Sequence, residues 1–199
     1  MSRLVLGLGN PGPQYRETRH NVGFRVVEEL ARRLGTSFES DAVRDECGSR
    51  VATAGGLTLA LPQTFMNRSG YAARCLVEVH GFEPEDILIV YDEVALPLGR
   101  LRLRRGGSPA GHRGIESILQ QLRTDQIPRL RLGVGRGEPP YTDVGAAEPC
   151  PPTSLADFVL APFEPEEREG VAAMIDRAAS ACETWAAEGI DAAMSKWNG

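Results

Sequence analysis

Apolar positions along this chain fall into short runs and helical stripes that alternate. Residues 3–9, which include Leu4-Val5-Leu6, read as a buried strand. A stripe at Val22, Val26, Val27, Leu30 and Leu34 predicts a helix over 21–34. Strands are predicted near 48–54 and 57–61, then a helix over roughly 68–80, strands at 86–91 and 100–104, a helix over 113–123 and a strand at 129–134. Ile87-Leu88-Ile89-Val90 is apolar without alternation, as a central strand covered on both faces should be. A loop rich in proline and acid spans 137–153, and helices near 165–187 and 189–197 finish the chain. Within the first of these, Val171, Met174, Ile175, Ala178, Cys182 and Trp185 form a core stripe. This order predicts the α/β class: a single domain over 1–199 with a twisted mixed sheet and helices on both faces, phosphorylase/hydrolase-like in its layering.

Composition narrows the picture. No apolar run reaches membrane-spanning length, and Met1-Ser2-Arg3 leads straight into the first strand, so neither a signal peptide nor a membrane helix is expected. Cys47, Cys75, Cys150 and Cys182 are scattered with no C-x-x-C pair, which predicts reduced thiols in a cytoplasmic protein. His20, His80 and His112 show no zinc-ligand spacing, and no metal is expected. The net charge of −5 argues against a polyanionic partner until its distribution is counted. Residues 1–99 carry ten Arg and thirteen acids, residues 100–137 nine Arg and two acids, and residues 138–199 three basic and twelve acidic groups. The segments therefore net −3, +7 and −9. Local potential, not the total, steers a polyanion.

Polar groups able to do chemistry concentrate in the loop after the first strand. Gly7, Gly9 and Gly12 satisfy G-x-G-x-x-G, the dinucleotide-binding pattern, which needs a helix to open inside the motif. Pro11 and Pro13 remove donors there, and helical periodicity begins only near Asn21, so a nicotinamide-dependent oxidoreductase is disfavoured. His20 closes the loop in Thr18-Arg19-His20-Asn21 and is the leading general base, the alternative being a structural loop histidine. Asp92 follows the apolar strand 86–91. Ligands of open α/β sheets bind outside strand carboxyl ends, so the two loops are expected to meet over one crevice, where Asp92 either supports the imidazole or caps a turn. No G-x-S-x-G elbow accompanies them, which suggests that His20 activates water itself. Asn67 precedes a helical stripe and reads equally as an N-cap or as an amide donor to an oxyanion. Arg100, Arg102 and Arg104 alternate with Leu101 and Leu103, which puts them on one strand face about 7 Å apart. That face is either simply solvated or, with the Gly111-His112-Arg113 helix start and Arg131 nearby, a phosphate-binding surface.

Several separated motifs together resemble the bacterial-type peptidyl-tRNA hydrolases: Gly7-Leu8-Gly9-Asn10-Pro11-Gly12, Tyr15, Thr18-Arg19-His20-Asn21-Val22-Gly23, Phe65-Met66-Asn67, Asp92-Glu93, Leu96-Pro97-Leu98-Gly99, Gly111-His112 and Arg129-Leu130-Arg131-Leu132-Gly133-Val134-Gly135. The resemblance spans about residues 3–163 and extends, in helical pattern, to the C-terminus. It implies hydrolysis of the ester joining a peptide to tRNA, with His20 as catalytic base and Asp92 as its supporting carboxylate. It further implies that Asn10 distinguishes a peptidyl from a free aminoacyl group and that Asn67 is a substrate-binding amide. Tyr15 and Phe65 would line the site for the 3′ end, and Arg104 and Arg131 would hold phosphate near the tRNA 5′ end. No cofactor and no obligate protein partner are implied; a cytoplasmic monomer acting on the tRNA acceptor end is expected. The chain departs from the family at Arg113, where an asparagine that orients water or substrate is usual, so that Arg113 could stabilise developing oxyanion charge, contact RNA or point away. Tyr91 replaces a frequent histidine, and Ala95 a frequent aspartate. The rival on the same fold is an RNA-binding protein without turnover.

Overall fold

The protein is described by a computed structural model covering residues 2–38, 46–135 and 154–199. The expected loop at 137–153 and Cys150 lie outside the described residues. Six strands form one sheet: β1 (Arg3–Gly7), β2 (Ser49–Ala54), β3 (Leu57–Pro62), β4 (Ile87–Glu93), β5 (Leu101–Arg104) and β6 (Arg129–Gly133), in the order β2-β3-β1-β4-β6-β5. Strands β3, β1, β4 and β6 run parallel, while β2 and β5 pair antiparallel at the two edges. The sheet is therefore mixed, as expected.

Alternation along the strands sends side chains into two cores. Val5, Leu88, Val90 and Leu130 pack with α1 (Val22–Arg33), α5 (Arg168–Glu188) and α6 (Ile190–Trp197). Leu4, Leu6, Ile87 and Ile89 pack with α2 (Ser69–His80) and α3 (Arg113–Leu122). Helices thus cover both faces, and β1 and β4 are buried on both sides. One helix was not expected: α4 (Leu155–Leu160), which opens with a capping box between Ser154 and Asp157. The S-x-x-D signal was present in the sequence, but six residues carry too little periodicity to announce a helix.

Two further expectations need correction. Strand β4 continues through Asp92 and Glu93, so Asp92 is part of the strand, in register with Leu132, and not the residue after it. Cys47 and Cys75, expected as reduced thiols, form a disulfide with their Cα atoms 5.3 Å apart. Their separation of 28 residues gave no spacing signal, because the contact is made only when the turn before β2 meets α2. Among the described cysteines, Cys182 remains a buried thiol, whose pKa burial pushes up. In keeping with the sequence pattern, no helix opens within Gly7–Gly12; a 3-10 turn at Pro13–Tyr15 and another at Arg19–Asn21 precede α1.

The start of α1 sits directly on the sheet. A Cβ added at Gly23 would lie 2.4 Å from the Val90 carbonyl oxygen and 2.7 Å from that of Leu8. This backbone-to-backbone approach draws the loop carrying His20 over the ends of β1 and β4.

Candidate active site

Because β3, β1 and β4 are parallel neighbours, the segments that follow them emerge along one edge and enclose a cleft of about 510 Å³. Asn10 and His20 come from the loop after β1, Phe65, Met66 and Asn67 from the turn after β3, and Asp92 and Glu93 from the end of β4. Ala110, Gly111, His112 and Arg113 contribute from the entry to α3. The opposite wall is α4, through Leu155, Ala156, Val159 and Leu160.

His20 Nδ1 lies 2.8 Å from Asp92 Oδ1, with the two side chains 13% and 1% exposed. A carboxylate only accepts, so Nδ1–H donates and Nε2 is left as an acceptor. Asp92 Oδ1 also meets His112 Nε2 at 3.1 Å. The tautomer of His112 is set locally, since its Nδ1 accepts the Ile115 N–H at 3.2 Å as the N-cap of α3. The Gly111-His112 loop stands out in the sequence, but nothing there gives His112 a role. Its link to Asp92 depends on α3 starting beside β4, which no spacing reveals. Burial pushes the Asp92 carboxyl up, but the charges of both imidazoles and their hydrogen bonds outweigh it and hold the group well below the ordinary carboxylate range. Tyr91, in place of the family's frequent histidine, stacks edge-on against His112 at 4.8 Å, and burial raises its phenol pKa.

Among the described residues, His20, Asp92 and His112 are the one group with ligand atoms close enough, all within 4.8 Å, to be considered for a metal. Their nitrogens contact the Asp92 oxygen directly at 2.8 and 3.1 Å, which is hydrogen-bond spacing. Ligand atoms about 2.0–2.2 Å from a common ion sit farther apart than that. As arranged, the three form a hydrogen-bonded triad.

Asn10 is fixed from two sides. Its backbone N–H donates to Asn21 Oδ1 and its carbonyl accepts from Asn21 Nδ2, each at 2.9 Å. Its own Oδ1 accepts the Met66 N–H at 2.8 Å, leaving the amide NH₂ to donate. Asn67 is exposed in a 3-10 turn and does not cap α2, whose N-cap position is Arg68. The capping alternative falls away, and Asn67 lines the cleft. Phe65, 56% exposed, lines the cleft with Tyr15 edge-on behind it at 6.5 Å. Arg113 is exposed on the cleft wall at the first position of α3.

The arginines divide. Arg102 and Arg104 are exposed on edge strand β5, with Arg100 just before it, and none of these has an acidic partner among the described residues. Arg131 lies opposite Arg102 in register but is 12% exposed, with its Nε and Nη2 on Glu93 Oε2 at 3.0 and 2.7 Å. It is therefore no open cation. Arg129 is buried and donates to the carbonyls of Ser108 and Gly107, bracing the loop that leads to α3.

The sequence profile of the peptidyl-tRNA hydrolases matches residues 4–199. The chain belongs to the peptidyl-tRNA hydrolase family. The peptidyl-tRNA hydrolase of Methylacidiphilum infernorum is 44% identical over 194 residues, covering 97% of this chain and 96% of its own. That of Gloeobacter violaceus is 43% identical over 197 residues, covering 98% and 93%. A crystal structure of peptidyl-tRNA hydrolase from Acinetobacter baumannii superposes with a TM-score of 0.82 at 31% identity, covering 100% of this chain and 95% of the other.

Proposed function

We propose that His20 is the general base and Asp92 its supporting carboxylate in the hydrolysis of peptidyl-tRNA, the reaction of this family, with tRNA released for reuse in translation. One observation carries this assignment: the His20–Asp92 hydrogen bond at 2.8 Å on the cleft wall. Asp92 holds His20 with Nε2 free to take a proton from water, and the water oxygen attacks the carbonyl carbon of the ester. Asp92 stabilises the imidazolium that forms. The amide groups of Asn10 and Asn67 donate to the tetrahedral oxyanion, and collapse of the intermediate expels the ribose oxygen, which recovers the proton from His20. The protein groups suffice for each proton transfer.

Phe65, backed by Tyr15, gives the 3′-terminal base an aromatic surface. Arg113 adds a cation beside the reacting group, where the family's asparagine would stand. Arg102 and Arg104 contact backbone phosphate toward the 5′ end, while Arg131, paired with Glu93, holds the neighbouring strand end in place and does not itself take phosphate. The chain works as a single-domain monomer in the cytoplasm, where translation supplies its substrate. No helix among the described residues is long and apolar enough to cross a membrane.

The test compares tRNA release from N-acetyl-aminoacyl-tRNA and from unblocked aminoacyl-tRNA. Release from the blocked substrate alone is expected. Tight RNA binding with no release would instead support the non-catalytic RNA-binding reading. His20→Ala should lower kcat about 10²–10⁴-fold while leaving the Kd for uncharged tRNA unchanged; undiminished turnover would remove His20 from the mechanism.

A further inference from the structure

We infer that Arg19 is a positioning residue for this reaction: with Glu167 it forms a brace holding the His20 loop and the apolar cleft wall in one register. The inference rests on the reading of His20 as the base. Arg19 immediately precedes His20, yet its side chain is absent from the cleft lining and the residue is only 4% exposed. Its Nη2 meets Glu167 Oε2 at 2.6 Å, and its Nη1 donates to the Pro162 carbonyl. The guanidinium packs against two rings, 4.6 Å from the centre of Phe158 and 5.0 Å from that of Phe163. Main-chain bonds run the same way: the Arg19 N–H donates to Ala161 O at 3.1 Å, and Thr18 bridges to Pro162. Glu167 is itself fixed, because its Oε2 accepts the Glu164 N–H at 2.7 Å.

Residues 158–167 are thereby tied to the residue next to the base. This stretch includes the end of α4, whose Val159 and Leu160 face the cleft. A buried cation is a poor device for stability alone, since desolvation offsets much of what its partner returns. Here the Arg19 Nε even lacks an acceptor. What the arrangement does supply is direction. A planar guanidinium held against two rings and forked onto a carboxylate and a carbonyl has little freedom to turn. The cleft needs that constraint, because a base displaced by about 1 Å can lose about 10² in rate.

The double variant Arg19→Met/Glu167→Gln removes both charges at similar volume, so neither is left buried alone. Thermal unfolding, kcat and KM for N-acetyl-aminoacyl-tRNA, and Kd for uncharged tRNA are measured against wild type. The brace predicts a folded protein with kcat lowered about tenfold or more and Kd unchanged, since the arginines of β5 are untouched. A kcat within about twofold of wild type overturns it, as does a parallel fall of kcat and tRNA affinity that signals general disruption. Should the double variant fail to fold, Glu167→Gln alone is read by the same criteria. Wild-type protein inert toward the substrate would overturn the functional reading and this inference with it. An active wild type with an unaltered variant overturns the brace alone.

Discussion

A single carboxylate oxygen, Asp92 Oδ1, receives an N–H from His20 and another from His112. Asparagine at this position would keep an oxygen acceptor but lose the charge that stabilises an imidazolium. Asp92→Asn should therefore lower kcat, and the variant should also differ from wild type in acid. The folded pKa of Asp92 is lowered, against about 3.9 for an unfolded aspartate, so its contribution to stability is complete above that value. The contribution is lost as pH falls below about 4 through the depressed folded value. Urea unfolding of wild type should weaken more steeply than that of Asp92→Asn as pH is lowered below about 4; parallel curves would mean that Asp92 is not held ionised. Two members of this triad were legible in the sequence, because His20 closes the loop that follows one apolar run and Asp92 directly follows the core of another. His112 was not, since its nearness to Asp92 arises only when α3 and β4 are packed.

At the scale of elements, the periodic segments were legible and the short or long-range ones were not. The stripe from Val22 and the run Ile87–Val90 marked α1 and β4 almost to their ends, since each buries a full face. Helix α4 escaped because six residues make fewer than two turns, and the Cys47–Cys75 bond because it joins elements far apart in sequence. The glycines of the first loop open no helix, and their main use became clear only in three dimensions. Gly7 and Gly23 lie where β1 and α1 nearly touch: a Cβ at Gly7 would sit 2.7 Å from the Gly23 carbonyl oxygen. Gly23→Ala pushes a methyl group against the carbonyls of Val90 and Leu8, which are backbone and cannot rotate aside. It should destabilise the protein by about 1–3 kcal/mol in urea unfolding. It should also lower kcat, because α1 and the His20 loop must shift together. An alanine variant of wild-type stability would show that this approach is looser than the distances imply.

Over the whole molecule, an acidic protein presents a basic edge. The segment 100–137 carries nine Arg against two acids, and β5 sets part of that charge on the outermost strand, beyond β6 and away from the acidic C-terminal third in sequence. Sequence alone could not say which arginines are free. Arg102 and Arg131 face each other in register, yet only the first is exposed, because Glu93 at the end of β4 captures the second. The two kinds of arginine should separate in a salt titration. Each phosphate contact to a single strand or duplex contributes roughly 0.7–0.9 to the slope of log K against log salt. Arg104→Ala should weaken binding of uncharged tRNA and reduce that slope by about one contact's worth, with little change in unfolding. Arg131→Ala should instead leave the slope nearly unchanged and destabilise the fold by about 3–5 kcal/mol, because Glu93 is then buried without its partner. Equal reductions of slope in both variants would show that Arg131 leaves Glu93 for phosphate when tRNA docks, and that the basic surface is completed only by its substrate.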